Sequence, residues 1–268
     1  MPPKILVIVG PTASGKTRLA VELAHEWNGE VQVYRRMDIG TAKPTAEEMD
    51  GIPHHMIDVA DPGEDFSAAR YVEMASACVD GILARGRLPI VAGGTGLCIG
   101  ALLARRTVAA SSPASPLRGE LGAELARRGG AAMLEELARV DPETAARLHP
   151  NDHKRIVRAL EVFRSTGRTI SQHDRETRAL PPRYDALTIG LTFRERADLW
   201  ARIDRRVDQM ARDGLEAEVR GLLSSGLPRT CTAMQAIGYK EFVAAVDGQI
   251  SWKEAEELVK LRSRQYAK

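Results

Sequence analysis

Residues 4–17 read KILVIVGPTASGKT, and the fold is decided there. Lys4 to Val9 is a continuous apolar run rich in β-branched residues, the pattern of a parallel strand buried on both faces. It runs directly into Gly10, Pro11, Thr12, Ala13, Ser14, Gly15, Lys16 and Thr17, a full GxxxxGK[ST] match. From Lys16 to Trp27 the residues Leu19, Ala20, Leu23 and Ala24 recur at helical spacing. Strand, glycine loop and helix are the setting in which a phosphate loop works. Its glycines let backbone N–H groups turn inward around an anion, and the helix N-terminus adds partial positive charge. Lys16 supplies a full charge, and Thr17 offers a hydroxyl to Mg2+. Such loops are nucleotide-binding and often ATP-binding, but what the motif specifies is a polyphosphate, not its hydrolysis.

Outward from this loop the alternation repeats. Val31 to Tyr34 and Ile52 to Val59 have strand character. Ser67 to Arg85 reads as a helix, with Ser67 as N-cap and Gly86 just past its end. Leu88 to Ala92 is a short buried strand that enters a second glycine turn, Gly93 to Gly96. The expected architecture is α/β, a P-loop NTPase-like doubly wound parallel sheet. After about Arg105 the pattern changes. Ala109 to Pro116 is Ser/Pro-rich and linker-like, and Leu117 to Arg178 is helical, punctuated by Pro142, Pro150 and Gly167. Ala186 to Thr192 returns to a strand, and Ala197 to Leu223 is a helical region interrupted near Gly214. The expected organisation is a core over 1–112, an inserted all-helical domain over 113–183, and the rest of the core over 184–268. No internal repeat is evident.

Composition narrows the function classes. The 268 residues are 44% hydrophobic and 28% charged, too apolar for a disordered chain. The net charge of +2 excludes a global basic field, so any nucleic-acid surface must be a local patch. Aromatic residues are 4%, which argues against an exposed aromatic platform for bases. Cys78, Cys98 and Cys231 are isolated and form no CxxC pair, as expected of free thiols in a reducing compartment. The run Ile5 to Val9 is too short for a signal-peptide core, and no segment approaches the ~18 apolar residues of a membrane span. A soluble, cytoplasmic monomer is expected.

The remaining polar clusters are less specific. A Walker-B strand ends in Asp, whereas Leu88–Ala92 ends in Gly93-Gly94-Thr95-Gly96 and Ala186–Thr192 ends in Phe193. A motor ATPase is thereby disfavoured. Val33 to Pro44 is polar and follows a strand end, where a ligand-contacting loop and a solvated loop are both possible. His54 and His55 face opposite sides of a strand, so a shared metal is not expected. Thr95 sits in a strand-end turn that can face the phosphate loop. Arg147 to Arg178 holds eight Lys and Arg against four acids, a local excess of +4. Lys154, Arg155 and Arg158 share a helix face there, either solvated or touching phosphates. Arg202 and Arg206 are four apart and point one way, either to clamp a leaving phosphate or to solvent.

The chain resembles the tRNA dimethylallyltransferases, or tRNA isopentenyltransferases, over essentially its whole length. The carriers are GPTASGKT (10–17), QVYRRMDIGTAKP (32–44), GIPHHMID (51–58), GGTGL (93–97), HPNDHKRIVRALEVF (149–163), RIDRRVDQM (202–210), AIGYKEF (236–242) and RSRQYAK (262–268). The resemblance implies transfer of the dimethylallyl group of dimethylallyl diphosphate to the exocyclic amine of the adenosine 3′ of the anticodon. The substrates would be tRNAs reading codons that begin with U. The phosphate loop would hold the diphosphate, with Mg2+ at Thr17, and the target base must leave its stack to react. Lys16 and Arg206 would neutralise the departing diphosphate, with Thr95 in the site. The inserted helices would grip the anticodon stem-loop. Gln32, Arg118, Lys154, Arg155, Ile156, Val157 and Arg158 are the implied tRNA contacts, together with Gln235, Ala236, Ile237, Gly238, Tyr239, Lys240 and Lys268.

Three departures stand out. The family reads GE-IISADS-xQVYR where this chain reads Gly29-Glu30-Val31-Gln32-Val33-Tyr34-Arg35. About six residues are absent, including the aspartate expected as general base on the adenine amine. The family pattern continues past the position of Lys268 into a further basic helix. Cys98 replaces a usual Tyr, and Ser115 stands where Asp is common. The rival readings are a P-loop small-molecule kinase, an adenylate isopentenyltransferase acting on free nucleotide, and a catalytically inactive tRNA-binding relative. The first leaves the inserted basic helices unexplained, the second is disfavoured by their size, and the third is raised by the missing aspartate.

Overall fold

The computed structural model describes residues 2–32, 39–41, 43–64, 66–94, 96–104 and 116–267. It divides into two compact units. Met1–Phe66, Glu73–Ile99 and Tyr184–Lys268 form one; Ser67–Val72 and Gly100–Arg183 form the other. The helical unit thus takes in a short piece near residue 70 in addition to the stretch whose periodicity is helical throughout.

The first unit is built on five parallel strands in the order β3-β2-β4-β1-β5: β1 (Lys4–Val9), β2 (Gly29–Gln32), β3 (His54–His55), β4 (Leu88–Gly93) and β5 (Asp185–Gly190). The apolar run of β1 makes it an interior strand, and Ile5 to Ile8 are at most 2% exposed. β5 is an edge strand, with Leu187 open to solvent. The helix α1 (Lys16–Trp27) lays Leu19, Ala20, Leu23 and Ala24 on Leu6, Ile8 and Ile90. It ends where Asn28 takes a left-handed conformation. The register pairs Val9 with both Gly93 and Gly190, so the carboxyl ends of β1, β4 and β5 lie level.

Two expectations are corrected in detail. Of Ile52 to Val59, only His54–His55 is a strand, because Pro53 lacks an N–H and Met56 and Asp58 have φ of 60°. The second strand is described over Gly29–Gln32; its expected continuation through Val33 and Tyr34 lies outside the described residues. Glu30 of β2 is 3% exposed and accepts from His55 of β3, from Arg85 at 2.5 Å and from Arg87 at 3.0 Å. One buried carboxylate thus joins β2 and β3 to the chain entering β4.

Between these strands run α2 (Ala46–Met49), α3 (Ala68–Ala84) and α4 (Gly96–Leu103). Ser67 caps α3, its hydroxyl accepting from the Arg70 N–H at 3.2 Å. The helical unit continues with α5 (Pro116–Val140), α6 (Pro142–Ala145), α7 (His153–Thr166) and α8 (Ile170–Ala179). Its core is Leu121, Met133, Leu137, Ile156 and Leu160. Each aliphatic side chain buried this way contributes about 1.5–3 kcal/mol. α5 breaks at Gly129, whose φ of 78° suits glycine.

The last segment of the first unit is helical: α9 (Arg196–Arg212), α10 (Leu215–Ser224), a 3-10 turn at Ala233–Gln235, α11 (Tyr239–Val246) and α12 (Trp252–Tyr266). Gly214 separates α9 from α10 with φ 101°, as the sequence break implies. Val207, Leu215, Val219, Tyr239, Phe242 and Val259 close a second core. Among the described residues no helix is long and apolar enough to cross a membrane.

Candidate functional site

The phosphate loop joins the carboxyl end of β1 to α1. Gly15 is the N-cap of α1 in a left-handed conformation, φ 87°, and no side chain caps the helix. The first N–H groups of α1 are therefore left for an anion. Gly10 is required by space: a Cβ there would sit 2.9 Å from the Leu191 carbonyl oxygen. Ser14 Oγ is buried and has no hydrogen-bond partner among the described residues. A buried unpaired hydroxyl is costly, and it marks a position for a ligand oxygen.

Lys16 folds back over the loop and donates from Nζ to the Pro11 carbonyl at 2.6 Å. Burial, followed by the Arg206 charge, lowers its pKa from 10.5 to about 8. Burial also lowers that of Arg206, against a smaller opposing influence from Glu48. Two cations thus lie close enough for one to disfavour the charge of the other. Among the described residues neither forms an ion pair with a carboxylate, and two such cations suit a polyanionic ligand. Arg202, one turn earlier on α9, donates from Nε to the Ala13 carbonyl at 2.9 Å and lies over the Phe193 ring at 5.8 Å. Arg202 thus faces the loop, and Arg206 lies near enough to Lys16 for its charge to be felt there.

The turn after β4 also faces the loop. A Cβ on Gly94 would lie 3.4 Å from the Gly10 carbonyl oxygen and 3.9 Å from Lys16 Nζ. Thr95, the next residue, lies outside the described residues, as do Lys268 and the linker over 109–115. Gln32 is the last described residue of β2. β4 ends at Gly93 and β5 at Gly190, so neither strand beside β1 ends in an acid. No cluster of three or more His, Cys, Asp or Glu poised for a metal occurs among the described residues. Thr17 is half-buried at the start of α1.

The basic positions of the helical unit are unequal. Lys154 and Arg155 are exposed and form no ion pair among the described residues. Arg158 donates to Glu161 Oε2 at 2.9 Å, and Arg118 of α5 donates to the same oxygen at 2.8 Å. Ile156 and Val157, implied by the resemblance as tRNA contacts, have buried side chains in the core of the unit. Along an amphipathic helix the alternation is unavoidable, and only Lys154, Arg155 and Arg158 of that block turn outward. Part of the +4 excess is answered by acids elsewhere in the unit: Arg164 pairs with Glu124 and Glu136, and Arg175 with Glu143.

The 235–240 block shows the same division. Gln235 is exposed and donates to the Arg229 carbonyl at 3.0 Å. Ala236 and Lys240 are exposed and Ile237 is half-buried. Gly238 has φ 101° and is buried, and Tyr239 is fully buried, so the tyrosine ring is a core group and not an outward contact. Its hydroxyl donates to Glu218 at 2.6 Å. The sequence reading missed Glu218 and Glu161 as organising acids, since no local pattern sets one helix carboxylate apart from its neighbours.

The comparisons agree with one another. The IPP transferase family model matches residues 32–268. The tRNA dimethylallyltransferase of Halalkalibacterium halodurans is 45% identical over 274 positions, covering 100% of this chain and 87% of that protein. tRNA dimethylallyltransferase 1 of Pelobacter propionicus is 48% identical, covering 99% and 87%. Among solved structures, the tRNA isopentenylpyrophosphate transferase of Bacillus halodurans matches with a TM-score of 0.70 at 44% identity, covering 98% of this chain and 84% of that one. A eukaryotic dimethylallyltransferase acting on tRNA matches with a TM-score of 0.81 at 30% identity, covering 99% and 68%. The first alignment is longer than the 268 residues of this chain, so that relative carries residues with no counterpart here.

Proposed function

The chain belongs to the IPP transferase family, and from that premise we propose that its phosphate loop holds the diphosphate of dimethylallyl diphosphate while the prenyl group passes to tRNA. It is a transferase of tRNA modification. The observation that carries the diphosphate reading is Lys16 at the start of a helix that no side chain caps, with a second desolvated cation, Arg206, near enough to act on it.

In the proposed reaction the adenine exocyclic nitrogen attacks the allylic carbon. The carbon–oxygen bond breaks, diphosphate leaves with the electron pair, and the amine gives up a proton to water. Lys16 and Arg206 stabilise the charge that grows on the leaving oxygens, and both are positioned before the reaction begins. The Ser14 hydroxyl and the N–H groups at the start of α1 complete the cradle. No water attacks phosphorus, so a strand-end carboxylate has no task here. The inserted basic helices, which a P-loop small-molecule kinase leaves unexplained, set the reading apart from that rival.

Mg2+ belongs to the same proposal. A lone hydroxyl from Thr17, without a carboxylate cluster among the described residues, fits an ion held mainly by phosphate oxygens and water. When bound, Mg2+ supplies further neutralisation of the diphosphate. Lys154, Arg155, Arg158 and Arg118 are the proposed contacts to the anticodon stem-loop, with Gln235, Ala236 and Lys240 as a second set; Gln32, Thr95 and Lys268 retain their implied places. A cytoplasmic monomer completes the reading.

The test is incubation with radiolabelled dimethylallyl diphosphate and tRNA, AMP or no acceptor. Label is expected in tRNA alone. Label in AMP would indicate a free-nucleotide enzyme, and diphosphate binding without transfer would indicate an inactive relative.

A further inference from the structure

The segment Ile39–Thr41 is fastened to the C-terminal helices through one carboxylate. Glu218 Oε2 accepts from the Ile39 N–H at 2.9 Å, and Oε1 accepts from the Gly40 N–H at 3.2 Å. The Tyr239 hydroxyl donates to the same Oε1 at 2.6 Å. Gly40 lies flat on the Tyr239 ring, where any Cβ would overlap ring carbons. Immediately beyond, Arg206 Nη2 lies 3.5 Å from the Thr41 carbonyl oxygen. Glu218 is half-buried, Tyr239 is fully buried, and both sit on helices that share the core with Val207 of α9.

This is more apparatus than a surface loop needs. Two consecutive backbone N–H groups directed at one carboxylate fix the position and the tilt of the peptide between them. The tyrosine fixes the carboxylate in turn, from a ring that cannot move within the core. The segment so held presents its next carbonyl to Arg206, the arginine whose charge acts on Lys16 of the phosphate loop. A guanidinium oriented in this way loses less freedom when an anion arrives.

We propose that Glu218 and Tyr239 are positioning residues for the diphosphate site: they dock Ile39–Thr41 so that Thr41 orients Arg206 toward the phosphate loop. The inference deepens the diphosphate reading and rests on it. It also gives Tyr239 a task other than touching tRNA.

The experiment measures binding of Mg2+-inorganic diphosphate by calorimetry, tRNA binding by gel shift, and thermal melting. Glu218→Ala, Glu218→Gln, Tyr239→Phe and Lys16→Ala are compared with the unaltered chain. Glu218→Ala is expected to weaken diphosphate binding about tenfold and Tyr239→Phe about threefold, as removal of a buried hydrogen bond does. tRNA affinity is expected to stay within about twofold, and Glu218→Gln to recover part of the loss, since its amide oxygen still accepts. Tyr239→Phe keeps the core volume and carries the test if Glu218→Ala melts early. Unchanged diphosphate affinity in folded variants would overturn the proposal. So would a loss that falls on tRNA, or one that lowers melting and both affinities alike. If Lys16→Ala leaves diphosphate binding intact, the anion site lies elsewhere and both readings fall. If Lys16→Ala abolishes it and Glu218→Ala does not weaken it, only this inference fails.

Discussion

Arg202 donates its Nε–H to the carbonyl oxygen of Ala13, 2.9 Å away and 189 residues distant in sequence. Ala13 itself has φ 61°, a left-handed value unusual for alanine. The bond ties α9, which carries Arg206, to the loop that carries Lys16. Replacing Arg202 with Ala is expected to raise the KM for dimethylallyl diphosphate about three- to tenfold, with tRNA affinity unchanged. Steady-state kinetics at saturating tRNA measures this, and an unaltered KM would show that the loop needs no such tether.

The depressed pKa of Lys16 has a pH signature. With a folded value of about 8 against 10.5, the unfolded chain binds more protons between those values, so this group adds stability as pH rises through that window. Binding an anion favours the charged lysine, so diphosphate should bind with proton uptake near pH 8 to 9. Calorimetry in two buffers of different ionisation enthalpy reads the uptake. A Lys16→Met variant should lack it, and equal uptake in both proteins would count against the assignment. Lys16→Ala should likewise abolish transfer and leave tRNA affinity nearly intact, because tRNA is held mostly elsewhere; equal weakening in a gel-shift titration would contradict that division.

Lys154→Ala with Arg155→Ala should weaken tRNA binding and lower the log–log salt slope by about 0.7 to 0.9 for each phosphate no longer neutralised. Arg158→Ala should behave differently, because Arg158 shares Glu161 with Arg118 and its removal also disturbs that partner. A slope unaffected by the double change would mean that Lys154 and Arg155 are only solvated.

The absent family segment before Gln32 yields a kinetic expectation. A positioned carboxylate taking the amine proton contributes about 10² to 10⁴-fold. Reinserting Ser-Ala-Asp-Ser before Gln32 should therefore raise the single-turnover rate at least about 10²-fold. Matching rates with and without the insertion would show that this aspartate is dispensable.

Glu30→Gln should destabilise the sheet edge by about 1–3 kcal/mol at neutral pH, discounted because Arg85 and Arg87 remain partly solvated. Burial alone would raise the Glu30 pKa, but hydrogen bonds from Arg85 and His55 bring it below 4.5. Its contribution is therefore present above that value and is lost as pH falls through the lower folded one. Denaturant titrations at pH 7 and pH 3 should show the gap between the two proteins narrowing in acid; a constant gap would refute the linkage.

By itself the sequence determined the phosphate loop, the parallel sheet around it, the helical stretch from Leu117 to Arg178 and the family. Each of these rests on local spacing: β-branched runs, glycine positions and a 3.6-residue period, all set by short-range sterics and burial. It did not determine that Ile156, Val157 and Tyr239 face cores while their neighbours face solvent, nor that only two residues of Ile52 to Val59 pair as a strand. Nor did it reveal that Glu218 holds Ile39 and Gly40, or that Glu161 joins Arg118 to Arg158. These pairings span from 3 to 179 residues, and a carboxylate's partner depends on which helices pack together in three dimensions. The same holds for Lys16: the motif gives its charge, but its lowered pKa comes from burial and from Arg206, which only the folded chain brings to it.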